Sequence, residues 1–258
     1  MQNFVLLFVS NNRAKMVVGY SYFLITTNYY NIMFVYFLMG AIFILSIVVQ
    51  NSLKSKFAKY SKVPLGVPMS GRDIANAMLQ QNGCGDVQVT SVSGQLTDHF
   101  NPANRTVNLS EPVYGTNSIA AAAVAAHECG HAVQHKVGYS MLQLRTKMVP
   151  IVSFASNTIQ WLLLAGIVVA QWTPIPLYIA IALFASTVLF SFVTLPVEVD
   201  ASRRAIKWLE GSGIASGQQL EYAKDALHAA AYTYVVAAVG SLATLLYYVA
   251  MIFGGNRR

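Results

Sequence analysis

His127 and His131 stand four residues apart in the run His127, Glu128, Cys129, Gly130, His131. On a helix that spacing is one turn, so both imidazoles project from one face and can grip a single cation. Glu128 follows the first histidine, where a carboxylate is placed to hold and deprotonate a water rather than to ligate the metal. With five His and five Glu in 258 residues, the pattern HExxH arises by chance in roughly 0.2% of such chains, so its presence calls for a chemical reason. A catalytic zinc takes three protein ligands and keeps a fourth position open. Were the third a histidine further along the same helix, in the pattern HExxHxxGxxH, position 134 would be Gly and position 137 His; they are Gln134 and Val137. The third ligand is therefore sought among carboxylates elsewhere: Asp98, Glu111, Glu198 and Asp200. Glu198 leads, because an acid at the end of an uncharged run of 50 residues is costly without a partner. Asp200 reads as an ion-pair partner of Arg203 or Arg204 one turn on, or as a group that orients a ligand histidine. Cys129 lies about 100° around the helix from each neighbour and reads as packing rather than as a fourth ligand.

The elements that must position these groups are legible around them. Ser118 can cap a helix that runs through six alanines at positions 120–126 into the histidine pair. Small side chains along such a helix let neighbours approach closely, so it is expected to be central and buried. Ser70, Gly71, Arg72 and Asp73 form a helix start, and Ile74, Ala77 and Met78 continue it amphipathically up to Gly83. Asp86–Val92 and Arg105–Ser110 alternate apolar and polar residues, which predicts a small antiparallel pair joined by the loop Gly94–Asn104. That loop carries Asp98 and His99. The hairpin reads as scaffold, or as an edge that accepts an extended peptide by main-chain pairing. Pro196 is placed to begin a further helix through Glu198, Asp200, Arg203, Arg204 and Trp208.

Composition says what surrounds this site. Only 10% of residues are charged and 55% are apolar, too few polar side chains to cover a water-soluble globule of this size. Uncharged runs of 38, 50 and 28 residues lie between Lys15 and Lys54, Lys147 and Glu198, and His228 and Arg257. A bilayer span needs about 20 apolar residues, which predicts four: 32–49, 150–170, 177–193 and 232–253. The second and third form a helical hairpin across the turn Gln171–Pro176, with Trp172 at the interface. Thirteen of the 17 Lys and Arg fall between the first and second spans or between the third and fourth, so the positive-inside rule puts those segments in the cytoplasm and both termini outside. The net charge of +7 then reads as a face toward anionic lipid; nothing resembles a nucleic-acid-binding module. Cys84 and Cys129 on a reducing side are expected to stay unbonded. Residues 1–31 lack the features of a signal peptide and read as an interfacial lead-in, or as an extension upstream of a start at Met33. Residues 32–253 read as one membrane peptidase-like domain and 254–258 as a tail.

The segments HECGH, GQLTDHFNP, RTVNLSE, LPVEVDASRRA and AAAYTYV, in this order, resemble the YugP-type neutral zinc metallopeptidases, small bacterial membrane proteins, over about residues 33–250. In its gluzincin arrangement the chain is similar, more distantly, to the HtpX and CAAX-type membrane metallopeptidases. The resemblance implies Zn2+ held by His127, His131 and Glu198, with Glu128 as general base. It implies a mainly α, polytopic membrane bundle of about four spans, with a buried HExxH helix and a small cytoplasmic β-hairpin. The expected activity is hydrolysis of peptide bonds in polypeptides that reach the membrane, membrane proteins among them, at a site on the cytoplasmic face of the bacterial inner membrane. A different class remains open: a zinc-holding membrane transporter or scaffold, for which Glu128 would be dispensable. The chain departs from the family's expected pattern in its N-terminal extension, in Cys129 and in His228. His228 and Tyr234, at the start of the last span, are candidates for donating to the oxyanion or are bundle packing. His99 reads as an exposed loop residue and His135 as a surface or lipid-headgroup contact.

Overall fold

A computed structural model describes residues 33–169 and 171–254, with side chains up to residue 252. The expectations for residues 1–31 and for the tail from 255 lie outside the described residues. The chain divides into two compact units, Met1–Ile44 and Leu45–Arg258. The described part of the first is apolar helix, the opening of α1 (Met33–Tyr60). The metal centre and every element around it lie in the second.

Among the described residues, four helices are long and apolar enough to cross a membrane: α1, α5 (Ser140–Val169), α6 (Ile175–Gly211) and α7 (Gly217–Gly254). Each runs well beyond its expected span. Once a helix leaves the apolar stretch, nothing in Leu53–Tyr60, Ser140–Val149 or Val199–Gly211 breaks it, so it continues into polar sequence. Pro196 is the instructive case. It does not begin a helix but sits inside α6, as Pro150 does inside α5. Proline is tolerated there when neighbouring elements satisfy the freed backbone groups. The α5–α6 turn takes Gln171–Pro174 of the expected Gln171–Pro176, α6 having begun by Pro176, and Trp172 is 81% exposed.

The segment between α1 and α5 folds against the ends of α6 and α7 around a core that includes Ile74, Met78, Leu79, Val107, Leu109 and Leu209. Helix α2 (Gly71–Gln81) opens with a capping box between Ser70 and Asp73. The Ser70 hydroxyl and backbone N–H both donate to Asp73, which holds its carboxyl below the usual range. Strands β1 (Gln88–Val92), β2 (His99–Asn101) and β3 (Thr106–Ser110) make a sheet in the order β1-β3-β2. The two alternating segments are strands, but they pair parallel, Gln88 opposite Thr106, rather than antiparallel. The antiparallel hairpin is β2 with β3, Phe100 opposite Val107. A three-residue strand inside the Gly94–Asn104 loop carries too little pattern to read. Its presence reverses the chain twice, so β1 and β3 end up pointing the same way. A four-residue helix α3 (Glu111–Tyr114) follows.

Helix α4 (Ile119–Lys136) is capped by Ser118, whose hydroxyl accepts from Ala121 N–H. It is central, as its alanines predict: 14 of its 18 residues are buried. It ends at Gly138, whose φ of +65° suits the left-handed turn that leads into α5.

Candidate metal centre

Helices α4 and α6 meet face to face, and the closeness of the meeting rests on one glycine. A Cβ on Gly130 would lie 2.6 Å from the carbonyl oxygen of Ala201, so no other residue fits without parting the helices. With α6 drawn this near, Glu198, buried to 3% exposure, reaches the histidine pair across 71 residues of sequence. Its Oε2 lies 3.2 Å from His127 Nε2 and 3.6 Å from His131 Nε2. One ligand atom from each of the three falls within 4.8 Å of the others. Bonds of about 2.0–2.2 Å to a tetrahedral zinc place neighbouring ligand atoms about 3.3–3.5 Å apart. The separations to Glu198 fit that geometry, and the donor set of two imidazoles and one carboxylate is the type found in catalytic zinc sites that keep an open position. His127, His131 and Glu198 are positioned to bind a metal ion.

The far side of each ligand is also held. His127 Nδ1 lies 3.1 Å from the Ser202 hydroxyl. His131 Nδ1 lies 3.0 Å from Gln134 Oε1, and the direction of this bond follows from what lies behind it. Gln134 Nε2 faces two groups that only accept, the Val197 carbonyl at 2.8 Å and Asp200 Oδ2 at 2.9 Å. The amide nitrogen must therefore point to α6 and its oxygen must accept from His131 Nδ1–H, which reserves Nε2 as the atom that faces a metal. Asp200 is in turn paired with Arg204 at 2.6 Å. Asp200 thus pairs one turn on, with Arg204, and also accepts from the Gln134 amide that meets His131. Burial works against a proton on His131, but the Glu198 carboxylate beside it outweighs that and raises its pKa. A metal binding here displaces that proton.

Two contacts were invisible to sequence reasoning. Arg145, from the first turns of α5, lies 3.2 Å from Glu198 Oε1, which leaves Oε2 for the histidines. Ser202 had no signal beyond its place one turn after Glu198. Glu128, 8% exposed, accepts from the backbone N–H of Phe100 at 3.0 Å, so β2 abuts the carboxylate. The surrounding cavity of about 450 Å³ runs from β2 to α5 and is also bordered by Tyr234 of α7.

The other candidates fall elsewhere. Asp98 borders the cavity, but its carboxylate takes the N–H and hydroxyl of Ser110 at 2.7 and 3.0 Å. Glu111 is exposed at the start of α3, and His228 is exposed on α7. His99 is exposed, with Nδ1 against Thr97 O at 2.8 Å, at the rim of the same cavity. His135 is exposed, its ring 5.7 Å from that of Phe100. Cys129 points away from the metal ligands, its thiol 3.5 Å from the carbonyl of Ala75. Burial pushes that thiol well above its usual pKa, which suits packing and not ligation. Cys84 and Cys129 are both free.

Comparison with known proteins agrees with this geometry. A family model described as "Putative neutral zinc metallopeptidase" matches residues 35–253. The chain is 43% identical over 212 residues to "Putative membrane protease YugP" of Bacillus subtilis (strain 168), covering 82% of this chain and 93% of that protein. No solved structure matches.

Proposed function

The chain belongs to the neutral zinc metallopeptidase family, and from that premise we propose that it is a membrane endopeptidase in which Glu128 is the general base and His127, His131 and Glu198 hold the zinc. The observation that carries the reading is the arrival of Glu198, from a different helix, within 3.2 and 3.6 Å of the two histidines. Four helices able to cross a membrane and the name of the similar Bacillus protein support a place at the membrane.

Zinc in this centre supplies a Lewis acid that polarises the scissile carbonyl and acidifies water. The chain's own groups do the rest. Glu128 takes the proton of the attacking water and delivers it to the leaving nitrogen, so that one carboxylate serves as base and then as acid. Phe100 N–H fixes one Glu128 oxygen and leaves the other for that proton. Tyr234, which borders the cavity and interacts with Glu198, is our candidate for donating to the oxyanion. Strand β2 is the outer strand of the sheet on the side of the cavity. On its outer edge the Phe100 N–H is taken by Glu128, and the Phe100 C=O remains to accept from an extended substrate backbone. Substrates are polypeptides at the cytoplasmic face of the bacterial inner membrane, membrane proteins among them. The basic segments between spans one and two and between spans three and four set that orientation.

Zinc content and casein cleavage of Glu128→Gln test the proposal. The expected result is full zinc with cleavage reduced about 10²–10⁴-fold, the range of a lost general base. Zinc retained with cleavage unchanged would overturn Glu128 as the general base, whereas a wild type that holds zinc and cleaves nothing would move the protein into the class of metal-holding transporters and scaffolds.

A further inference from the structure

Glu128 borders two cavities, not one. The second, of about 170 Å³, opens between α1, α4 and α7 and shares Asp98, His127, Glu128 and Tyr234 with the first. Their remaining linings differ in kind. The first mixes apolar side chains such as Phe100, Leu142 and Val149 with the polar His99, Arg145 and Thr146. In the second, every residue besides the shared four is apolar: large side chains from Leu53, Phe57 and Leu96, small ones from Ala120, Ala123 and Ala230 among others. An apolar cavity of about 150 Å³ accepts benzene, so a space of about 170 Å³ suits the side chain of Phe, Leu or Met.

Leu96 supplies an independent observation. Its φ is 58°, in the left-handed region that leucine rarely adopts, and it is 49% exposed. The loop thus keeps a branched apolar residue where Gly or Asn would be at ease and where water meets much of it. Backbone strain of this kind gathers at binding sites. Leu96 lines the apolar cavity and nothing in the metal-ligand cavity.

We infer that the apolar cavity is the subsite for a large apolar side chain flanking the scissile bond, with Leu96 and Ala230 as specificity-determining contacts. The inference rests on the peptidase reading and names its substrate class: polypeptides with a bulky apolar residue beside the bond that is cut. A peptide is the fitting occupant because the cavity meets Glu128, Asp98 and His127 at its border with the metal centre. A substrate's amide groups can hydrogen-bond there, whereas a lipid acyl chain would desolvate those polar groups without compensation.

The test is the cleavage-site profile of casein, read by mass spectrometry, for the zinc-loaded full chain and for two variants. The wild type is expected to select Phe, Leu, Ile or Met at one position flanking the cut. Ala230→Leu, which fills the space from a half-buried position, lowers the ratio of large to small residues there by at least tenfold, within the roughly 10–200-fold that apolar pockets discriminate. Leu96→Asn lowers the same ratio while leaving the melting temperature equal or higher, because Asn tolerates the left-handed backbone. A flat wild-type profile overturns the inference, as does an unchanged ratio in Ala230→Leu accompanied only by altered co-purified lipid. A lower melting temperature with an unchanged ratio in Leu96→Asn overturns the assignment of Leu96. Absence of any cleavage by the wild type overturns the peptidase reading and this subsite together, whereas cleavage without selection overturns the subsite alone.

Discussion

Helices α4 and α5 invert the usual relation between polarity and burial. Helix α4, built of alanines and the ionisable run His127–His131, buries 14 of 18 residues. Helix α5 buries only Met148, Ala155 and Gly166 of its 30, and exposes Val149, Ile151, Phe154, Trp161, Leu164, Ile167 and Val168. In water the second arrangement would be untenable, because so large a contiguous apolar face does not stay exposed on a soluble monomer. On the membrane reading proposed above, two solvents act on this chain: lipid takes the bulky apolar residues of α5 outward, while small residues on α4 let helix backbones close around polar groups that must be paired. The metal centre lies at their boundary, with Arg145 of α5 reaching back to Glu198.

The comparison breaks most sharply if the exposed face of α5 is not a lipid face. Phe154→Arg, at a residue 62% exposed, is expected to cost about 2.5–3.5 kcal/mol of membrane insertion. Membrane fractionation should show the variant lost from the bilayer or degraded; a variant that inserts and accumulates normally would mean that this face meets water or protein. On the other helix the demand is for closeness. Gly130→Ala forces α4 and α6 apart against the Ala201 carbonyl, an overpacking cost of about 1–3 kcal/mol. Its signature should be weakened zinc binding in a protein that still inserts. Smaller again is Ser202→Ala, which removes the partner of His127 Nδ1. Loss of such an outer hydrogen bond typically lowers metal affinity about 10–100-fold, measurable by competition with a chromophoric chelator, and an unchanged affinity would reduce Ser202 to packing.

Much of this arrangement could be read from the chain because the informative residues interrupt a uniform background. His127, Glu128 and His131 stand out from a run of alanine, and Glu198 from 50 residues without charge. Burying a carboxylate there needs a partner, and that requirement is local enough to be read from sequence. What escaped reading depends on which surfaces meet. Arg145 looked like one more cytoplasmic charge, and its contact with Glu198 exists only because α5 packs on α6. Gln134 mattered to the sequence only as a residue that is not glycine, yet it fixes the proton on His131. The parallel pairing of β1 with β3 turned on a three-residue strand within a loop. Pro196 misled because a rule for helix starts in water does not hold where neighbouring helices shelter the freed backbone.

The central claim is that Glu198 completes the metal centre from α6. Zinc stoichiometry of purified full-length protein tests it most directly, measured by elemental analysis after dialysis against a weak chelator, for the wild type and for Glu198→Ala. The account predicts one zinc per chain in the wild type and none retained in the variant, with the variant still inserted in the membrane. A folded Glu198→Ala that holds zinc as tightly as the wild type would contradict it.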